Sequence, residues 1–429
     1  MKKVFFLVGQ CYIHAEPYSR LASMLRNAGT ECRLYYIGES LKEFRGDLGF
    51  QSMIRKTNTR DMPIFCLNTK PGFINRPLQF IRLVLNKYIL KYFLHREKPD
   101  LVVVGGDIAN MNTRLFLDEC ERFGINVLMA PITDVNSGII INPAANKGVP
   151  MAWLVCLALR CFSLEEVVFF KGWVLGSYHE QGVIAVPNKE IMQTLLDNGI
   201  QKERLVVVGK PFYDSIYDIL QRSRDKIRSE VSSIVGFECT QDLRLVVYCT
   251  EVMQSIYSIE YVMNIDRLLY DAFNAFSDSV KVVIKFHPRE PADVVALHKK
   301  ALCGDRFYFV SSIDNYALLR AADVVISFWS TMLIDAALLK TPVLSIRLID
   351  DKAPVIFDRT SEFTHITSEK EFQTKIWKML FDRNFIDASA AVVSRWKDSV
   401  GIVIDGHSCE RIAELIKVQI SSGITEGID

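Results

Sequence analysis

The sequence has no uninterrupted apolar stretch of about twenty residues, the length that spans a bilayer as a helix. The nearest approach, Met151 to Gly176, is interrupted by Arg160, Glu165, Glu166 and Lys171, and is expected to form a buried hydrophobic helix instead. There is no excess of charge of either sign. Fifty-one basic and 50 acidic residues leave a formal charge of +1, so the electrostatic footprint of a nucleic-acid-binding protein is missing and no nucleic-acid partner is expected. No C-x-x-C pair and no cysteine spacing suited to a metal occurs. The ten cysteines lie far apart, several inside apolar runs (Cys156, Cys249), as reduced core residues would. The absence of a Walker A motif and of a G-x-G-x-x-G fingerprint argues against ATP hydrolysis and nicotinamide chemistry. No D-x-D triplet is present, which agrees with a metal-independent reaction, and no cofactor is expected. Met1-Lys2-Lys3 leads into an apolar run, Val4 to Val8, too short for a signal-peptide core, so a cytoplasmic protein is expected.

What the chain does have is enough apolar material for two cores: 429 residues, 49% hydrophobic and 24% charged. Strand-like runs alternate with helical patterns, the signature of an α/β chain with parallel sheets. The first half offers Val4 to Val8, Cys32 to Ile37, Ile64 to Leu67, Leu101 to Val104, Asn126 to Met129, Gly182 to Val186 and Leu205 to Val208. The second offers Leu245 to Cys249, Val282 to Phe286, Phe307 to Val310, Val324 to Ser327 and Pro342 to Ile346. Two Rossmann-like domains are expected, at 1–215 and 243–405. A charged helix-plus-connection at 216–242 would join them, and a terminal helix and tail would occupy 406–429.

Two loops concentrate the chemistry. Lys285-Phe286-His287-Pro288-Arg289-Glu290 and Ser327-Phe328-Trp329-Ser330-Thr331-Met332 each follow an apolar strand and precede a helical pattern. Both therefore fall at the carboxyl edge of one parallel sheet, where ligands of such sheets bind. A third loop, Thr250-Glu251, lies on the same edge. Ser330, Thr331 and the free amides of the following helix suit phosphate oxygens, and His287 suits an oxygen on which negative charge grows. Read singly, Ser330-Thr331 is an ordinary N-cap and His287 a satisfied polar residue. Their co-occurrence on one edge favours a diphosphate site.

Those residues carry a resemblance. Lys285-Phe286-His287-Pro288, then Ser327-x-x-Ser330-Thr331-x-x-x-Asp335-Ala336 and Thr341-Pro342-Val343, resemble the carboxyl-terminal domain of GT-B glycosyltransferases. The His-Pro and Ser-Ser/Thr motifs are similar to those of bacterial sialyl- and polysialyltransferases and of CDP-glycerol glycerophosphotransferases. Val208-Gly209-Lys210-Pro211 and the closing Asp405-Gly406-x-x-x-Glu410-Arg411-Ile412 extend the likeness. It implies the GT-B fold, with two Rossmann-like domains facing a cleft and a last helix returning to the first domain. It also implies a metal-independent transferase using a UDP-, CMP- or CDP-linked donor and a glycan or lipid-linked acceptor, in surface polysaccharide or glycolipid synthesis. The donor would meet Lys210, Thr250, Glu251, His287, Pro288, Arg289, Glu290, Ser330, Thr331 and Asp335.

A second resemblance competes. Gly105-Gly106-Asp107 and His287-Pro288-Arg289-Glu290 are similar to the Gly-Asp and His-Arg-Arg-Glu motifs of UDP-N-acetylglucosamine 2-epimerases. Where that family has Ser-Gly-Gly followed by paired glutamates, this chain has Ser327-Phe328-Trp329-Ser330-Thr331 and Asp335-Ala336, which favours the transferase. A non-catalytic scaffold with the same fold is the remaining alternative. A transferase needs a general base, and the first-half loops offer His14, Glu16, Asp107 and Asp134, each of which has a helix-capping or loop-bonding alternative. In 76–98, Arg82, Lys87, Lys91 and His95 form a basic stripe beside an apolar face of Phe80, Leu83, Leu90, Tyr92 and Phe93. Such a helix either packs as an ordinary crossover with its stripe in water or rests on an anionic membrane as a peripheral contact.

Overall fold

Parallel strands alternating with helices organise the protein, as shown by a computed structural model. It describes residues 1–8, 15–37, 55–65, 77–106, 111–131, 157, 159–169, 174–251, 258–288, 290–328, 330–348 and 362–422. Two units result: Met1–Asp214 with Ile402–Asp429, and Ser215–Gly401.

The first unit carries strands β1 (Lys3–Val8), β2 (Glu31–Tyr36), β3 (Arg60–Asp61), β4 (Leu101–Val104), β5 (Asn126–Met129), β6 (Val183–Val186) and β7 (Leu205–Val207). They pair in parallel in the order β3-β2-β1-β4-β5-β6-β7. Its helices are α1 (Ala15–Asn27), α2 (Pro77–Glu97), α3 (Met111–Arg122), α4 (Lys189–Asp197) and α5 (Pro211–Leu220), within which the unit ends. The unbroken apolar run of β1 has a simple cause, because helices cover the sheet on both sides. Phe5 and Leu7 join a core with Leu83, Leu90 and Leu94 of α2 and Leu115 and Phe116 of α3. Val4, Phe6 and Val8 point the other way, onto Tyr18, Leu21 and Leu25 of α1.

The second unit begins with helix α6 (Arg224–Val235) and carries β8 (Arg244–Cys249), β9 (Val280–Lys285), β10 (Phe307–Val310), β11 (Val324–Ser327), β12 (Val343–Ile346) and β13 (His365–Ile366). Their order is β10-β9-β8-β11-β12-β13, all parallel. Helices α7 (Ile259–Asn274), α8 (Ala292–Ala301), α9 (Asn315–Ala321), α10 (Thr331–Leu338), α11 (Phe372–Phe381) and α12 (Arg383–Val400) surround it. Within the charged stretch 216–242, Arg224 and Arg228 of α6 have a structural use. Both bind Asp323, whose carboxylate also accepts from Leu245 N at 2.7 Å.

The last helix, α13 (Ser408–Ser422), belongs to the first unit. Cys409, Ile412, Ala413, Ile416 and Ile420 are buried with α1 and β1, so the helix covers the sheet and is not merely a surface element. Its first turn is tied by buried Asp214, which accepts from Ser408 N and Cys409 N, each at 2.8 Å. Gly209 sits in the left-handed region at φ +86°, and an added Cβ would fall 2.5 Å from the Ser408 hydroxyl, which explains glycine at this turn.

Three sequence expectations change. The strand expected at Ile64 to Leu67 is replaced by the two-residue β3 at Arg60–Asp61. Ile64 bonds back to Met62 O at 2.8 Å, and residues 66–67 lie outside the described residues. The single buried helix expected over Met151 to Gly176 is not found among its described residues. A turn with Ser163 at φ +50° separates a stretch ending at Cys161 from the short helix Glu165–Phe169. In α2, Lys87 is not on a solvated stripe. It is buried, donating to Phe162 O at 2.6 Å and lying 3.9 Å from Glu119.

Candidate diphosphate site on the second sheet

Strand order in the second sheet reverses between β8 and β11, which are neighbours although β9 and β10 intervene in sequence. Loops leaving adjacent strands there diverge to opposite faces and open a crevice at the carboxyl edge. Thr250 and Glu251 end β8, the His287 turn ends β9, and Ser327 followed by Ser330 ends β11. The sequence-predicted edge is thus real, and three loops meet along it.

Hydrogen bonds stitch these loops together. Ser327 Oγ at the end of β11 donates to Cys249 O at 2.7 Å and lies 3.2 Å from Glu251 Oε1, bridging the switch point. His287 N donates to Thr250 Oγ1 at 3.0 Å, joining β9 to β8. Thr250 Oγ1 in turn donates to Glu290. Glu290 N closes the turn on His287 O at 3.0 Å, with Pro288 exposed at its tip. Beneath it, Lys285 is buried with its ammonium on Phe286 O at 2.8 Å, and burial lowers its pKa.

Behind the turn lies a buried triad. Asp266 of α7 meets His298 Nδ1 of α8 at 2.6 Å, and His298 Nε2 meets Glu290 Oε1 at 3.2 Å; all three side chains are shut off from solvent. Burial opposes charge on the imidazole, but hydrogen bonds to Asp266 and Glu290 outweigh it and carry His298 up to about 9. Burial also raises Asp266, against the opposing pull of His298. With two carboxylates on one ring, the protonated imidazole is the state the geometry supports. The chain Asp266–His298–Glu290–Thr250–His287 is continuous from two helices to the loop tip.

This gives a pH dependence. A histidine whose folded pKa exceeds its unfolded value near 6.5 adds stability that is complete below 6.5 and is lost as pH rises through about 9. Denaturant titrations across that window should show falling stability. A flat profile would mean the ring is neutral when folded.

At the third loop, Ser330 caps α10, its hydroxyl accepting from Met332 N at 3.3 Å, which leaves its own proton to donate. Thr331 is exposed at the first helical position, and Asp335, half-buried, lies one turn further along. Lys210 belongs to the first unit, buried with its ammonium 5.6 Å from the Phe212 ring and 5.7 Å from the Tyr213 ring. Glu16 is exposed, 3.1 Å from Lys56. His14, Asp107, Asp134 and Arg289 lie outside the described residues. Asp266 and His298 were not anticipated from sequence, although an aspartate beside Ile265 on the core-facing side of α7 is a signal of a buried partner.

The sequence profile of UDP-N-acetylglucosamine 2-epimerases matches residues 182–417, more than half of the chain. The chain belongs to the UDP-N-acetylglucosamine 2-epimerase family. The match spans all of the second sheet and its carboxyl-edge loops, and it favours the epimerase resemblance over the transferase one. Solved structures of the family share the fold. The Neisseria meningitidis UDP-GlcNAc 2-epimerase bound to UDP-GlcNAc has a TM-score of 0.60 at 14% identity, covering 97% of this chain and 100% of that one. The Methanocaldococcus jannaschii enzyme in complex with UDP-GlcNAc and UDP gives 0.58 at 15%, with coverage of 97% and 100%. The GT-B architecture extends beyond epimerases, since the wall teichoic acid polymerase TagF gives 0.55 at 13%, with coverage of 99% and 90%. No curated protein sequence matches the chain. Among the described residues, no helix is long and apolar enough to cross a membrane.

Proposed function

We propose that this family member is a nucleotide-sugar epimerase or hydrolase that acts on a UDP-N-acetylhexosamine, holding the UDP diphosphate at the carboxyl edge of the second sheet. The family match over residues 182–417 carries the reading, because the loops it spans are the ones that converge at the switch point. His287 donates to a diphosphate oxygen. The Ser330 and Thr331 hydroxyls and the first-turn amides of α10 hold the others. Glu251, fixed by Ser327, reaches the ribose or sugar. Charge on a departing diphosphate is met by donors already in place, so little reorganisation accompanies its release. Asp107, Asp134 and His14 are the acid–base candidates, since sugar-directed proton transfer needs a carboxylate or imidazole within hydrogen-bond reach.

A transferase reading has its own observation in favour: Ser327-Phe328-Trp329-Ser330-Thr331 and Asp335-Ala336 stand where the family has Ser-Gly-Gly and paired glutamates. Donor and acceptor requirements separate the two. Incubated with UDP-GlcNAc alone, the protein should convert it to the C2 epimer, or to free sugar and UDP, as followed by proton NMR. An inert donor combined with a clear thermal shift from UDP selects a transferase that waits for an acceptor. No conversion and no shift with uridine or cytidine nucleotides selects a non-catalytic scaffold.

A further inference from the structure

Strand β9 ends on a residue that burial alone does not explain. Its last position is Lys285, only 6% exposed, on a strand otherwise buried among apolar neighbours. Lysine is almost never enclosed unless it is paired. Here the ammonium donates to Phe286 O at 2.8 Å, and among the described residues it has no ion pair. Its register neighbour on β8 is Cys249, whose thiol burial pushes up to about 12, so that group stays neutral and is no counter-ion. Glu290 has both oxygens engaged, one by His298 and one by Thr250. Burial lowers the pKa of Lys285, as expected of a cation held where charge is unfavourable. An apolar side chain of similar length would suit the fold as well or better, because replacing a buried ion by a hydrophobic group of similar volume is often neutral or stabilising.

The charge has a use at the sheet edge. The loops after β8 and β9 and the start of α10 carry the carboxylates Glu251, Glu290 and Asp335. Among the described residues there, Lys285 is the one ammonium or guanidinium. The triad supplies no surplus of positive charge, since a protonated His298 already faces two carboxylates. A diphosphate arriving at this edge would otherwise meet neutral donors and an excess of acid. Coulomb attraction inside a protein reaches several ångströms without contact, and a buried charge is little screened by salt. Lys285 also acts through geometry. The peptide joining Phe286 to His287 is gripped at both ends, its carbonyl by the Lys285 ammonium at 2.8 Å and its N–H by Thr250 Oγ1 at 3.0 Å.

We propose that Lys285 is a positioning residue of the diphosphate site, whose buried ammonium sets the positive potential beneath the His287 turn and makes the edge select a nucleoside diphosphate over the uncharged nucleoside. This rests on the reading of that edge as the UDP site. It also accounts for a lysine at a position where the fold has no need of one.

Titrations with UDP and with uridine, by calorimetry or by ligand-observed NMR where binding is weak, test this. Lys285→Met should weaken UDP binding roughly tenfold or more and uridine binding by less than about twofold, so the preference for the diphosphate collapses. Its unliganded melting temperature should be unchanged or higher. Lys285→Arg, which keeps the charge, should recover part of the UDP affinity. An undiminished preference for UDP over uridine in the methionine variant overturns the proposal. So does a lowered melting temperature with equal losses for both ligands, which would make the lysine structural. Wild-type protein that binds no UDP defeats the reading of the edge itself, and the proposal with it.

Discussion

Replacing His287 by alanine should remove about half or more of the thermal response to UDP and leave the unliganded protein as stable as before. The imidazole is half-exposed at the loop tip, whereas the loop is held by main-chain groups that alanine retains: His287 N on Thr250 and Glu290 N on His287 O. A ligand at one hundred times its dissociation constant stabilises a folded protein by about 2.7 kcal/mol. Losing one hydrogen bond to a charged group costs about 1.5–3 kcal/mol of affinity, roughly a tenfold to hundredfold weakening. At the same UDP concentration the variant should therefore retain about 0.4–1.4 kcal/mol of stabilisation. Differential scanning fluorimetry with and without UDP reads both quantities. A collapse of the unliganded protein would make His287 structural, and an undiminished UDP shift would place the diphosphate elsewhere.

His298→Ala should have the largest effect on stability. Substitution leaves Asp266 and Glu290 as buried carboxylates without their shared cation, and Asp266 Oδ1 already has no hydrogen-bond partner among the described residues. Breaking a buried charged pair by removing one partner costs about 3–5 kcal/mol. For a unit of this size the melting temperature should fall by on the order of 10 °C. UDP affinity should fall as well, because Glu290 would no longer be held against Thr250 and the His287 turn would loosen. Glutamine, which can bond one carboxylate, should recover part of both losses. A decrease of less than about 1 kcal/mol in urea titrations would show that the triad is not charged in the folded protein.

The parts legible in the sequence share one physical cause. Strands covered by helices on both sides must be largely apolar, so β1, β4, β8 and β11 stand out as unbroken runs and β9 as one interrupted at Lys281, and the ends of β9 and β11 mark the sheet edge where His287 and Ser330 fall. Short edge elements lack that signal. The two-residue strands β3 and β13 leave no periodicity to read, and the expected strand at Ile64 to Leu67 was displaced accordingly. Lys87 shows how tertiary contacts override pattern: on a helical wheel it joins a basic stripe, but carbonyl oxygens and Glu119 draw it inside. The site was only half visible for a related reason. Thr250, His287 and Glu290 lie next to one another in space because β8 and β9 pair, whereas Asp266 and His298 reach them from helices whose packing a single sequence does not specify. Residues 327–336 depart from the epimerase pattern and by themselves favour a transferase, whereas the profile across residues 182–417 spans the whole second unit.

A crystal structure of the protein with UDP bound is the most direct measurement. The diphosphate should lie within hydrogen-bond distance of the His287 imidazole and the Ser330 hydroxyl, at the carboxyl ends of β8, β9 and β11. A diphosphate seated away from that edge, with His287 and Ser330 untouched, would contradict the assignment of the site.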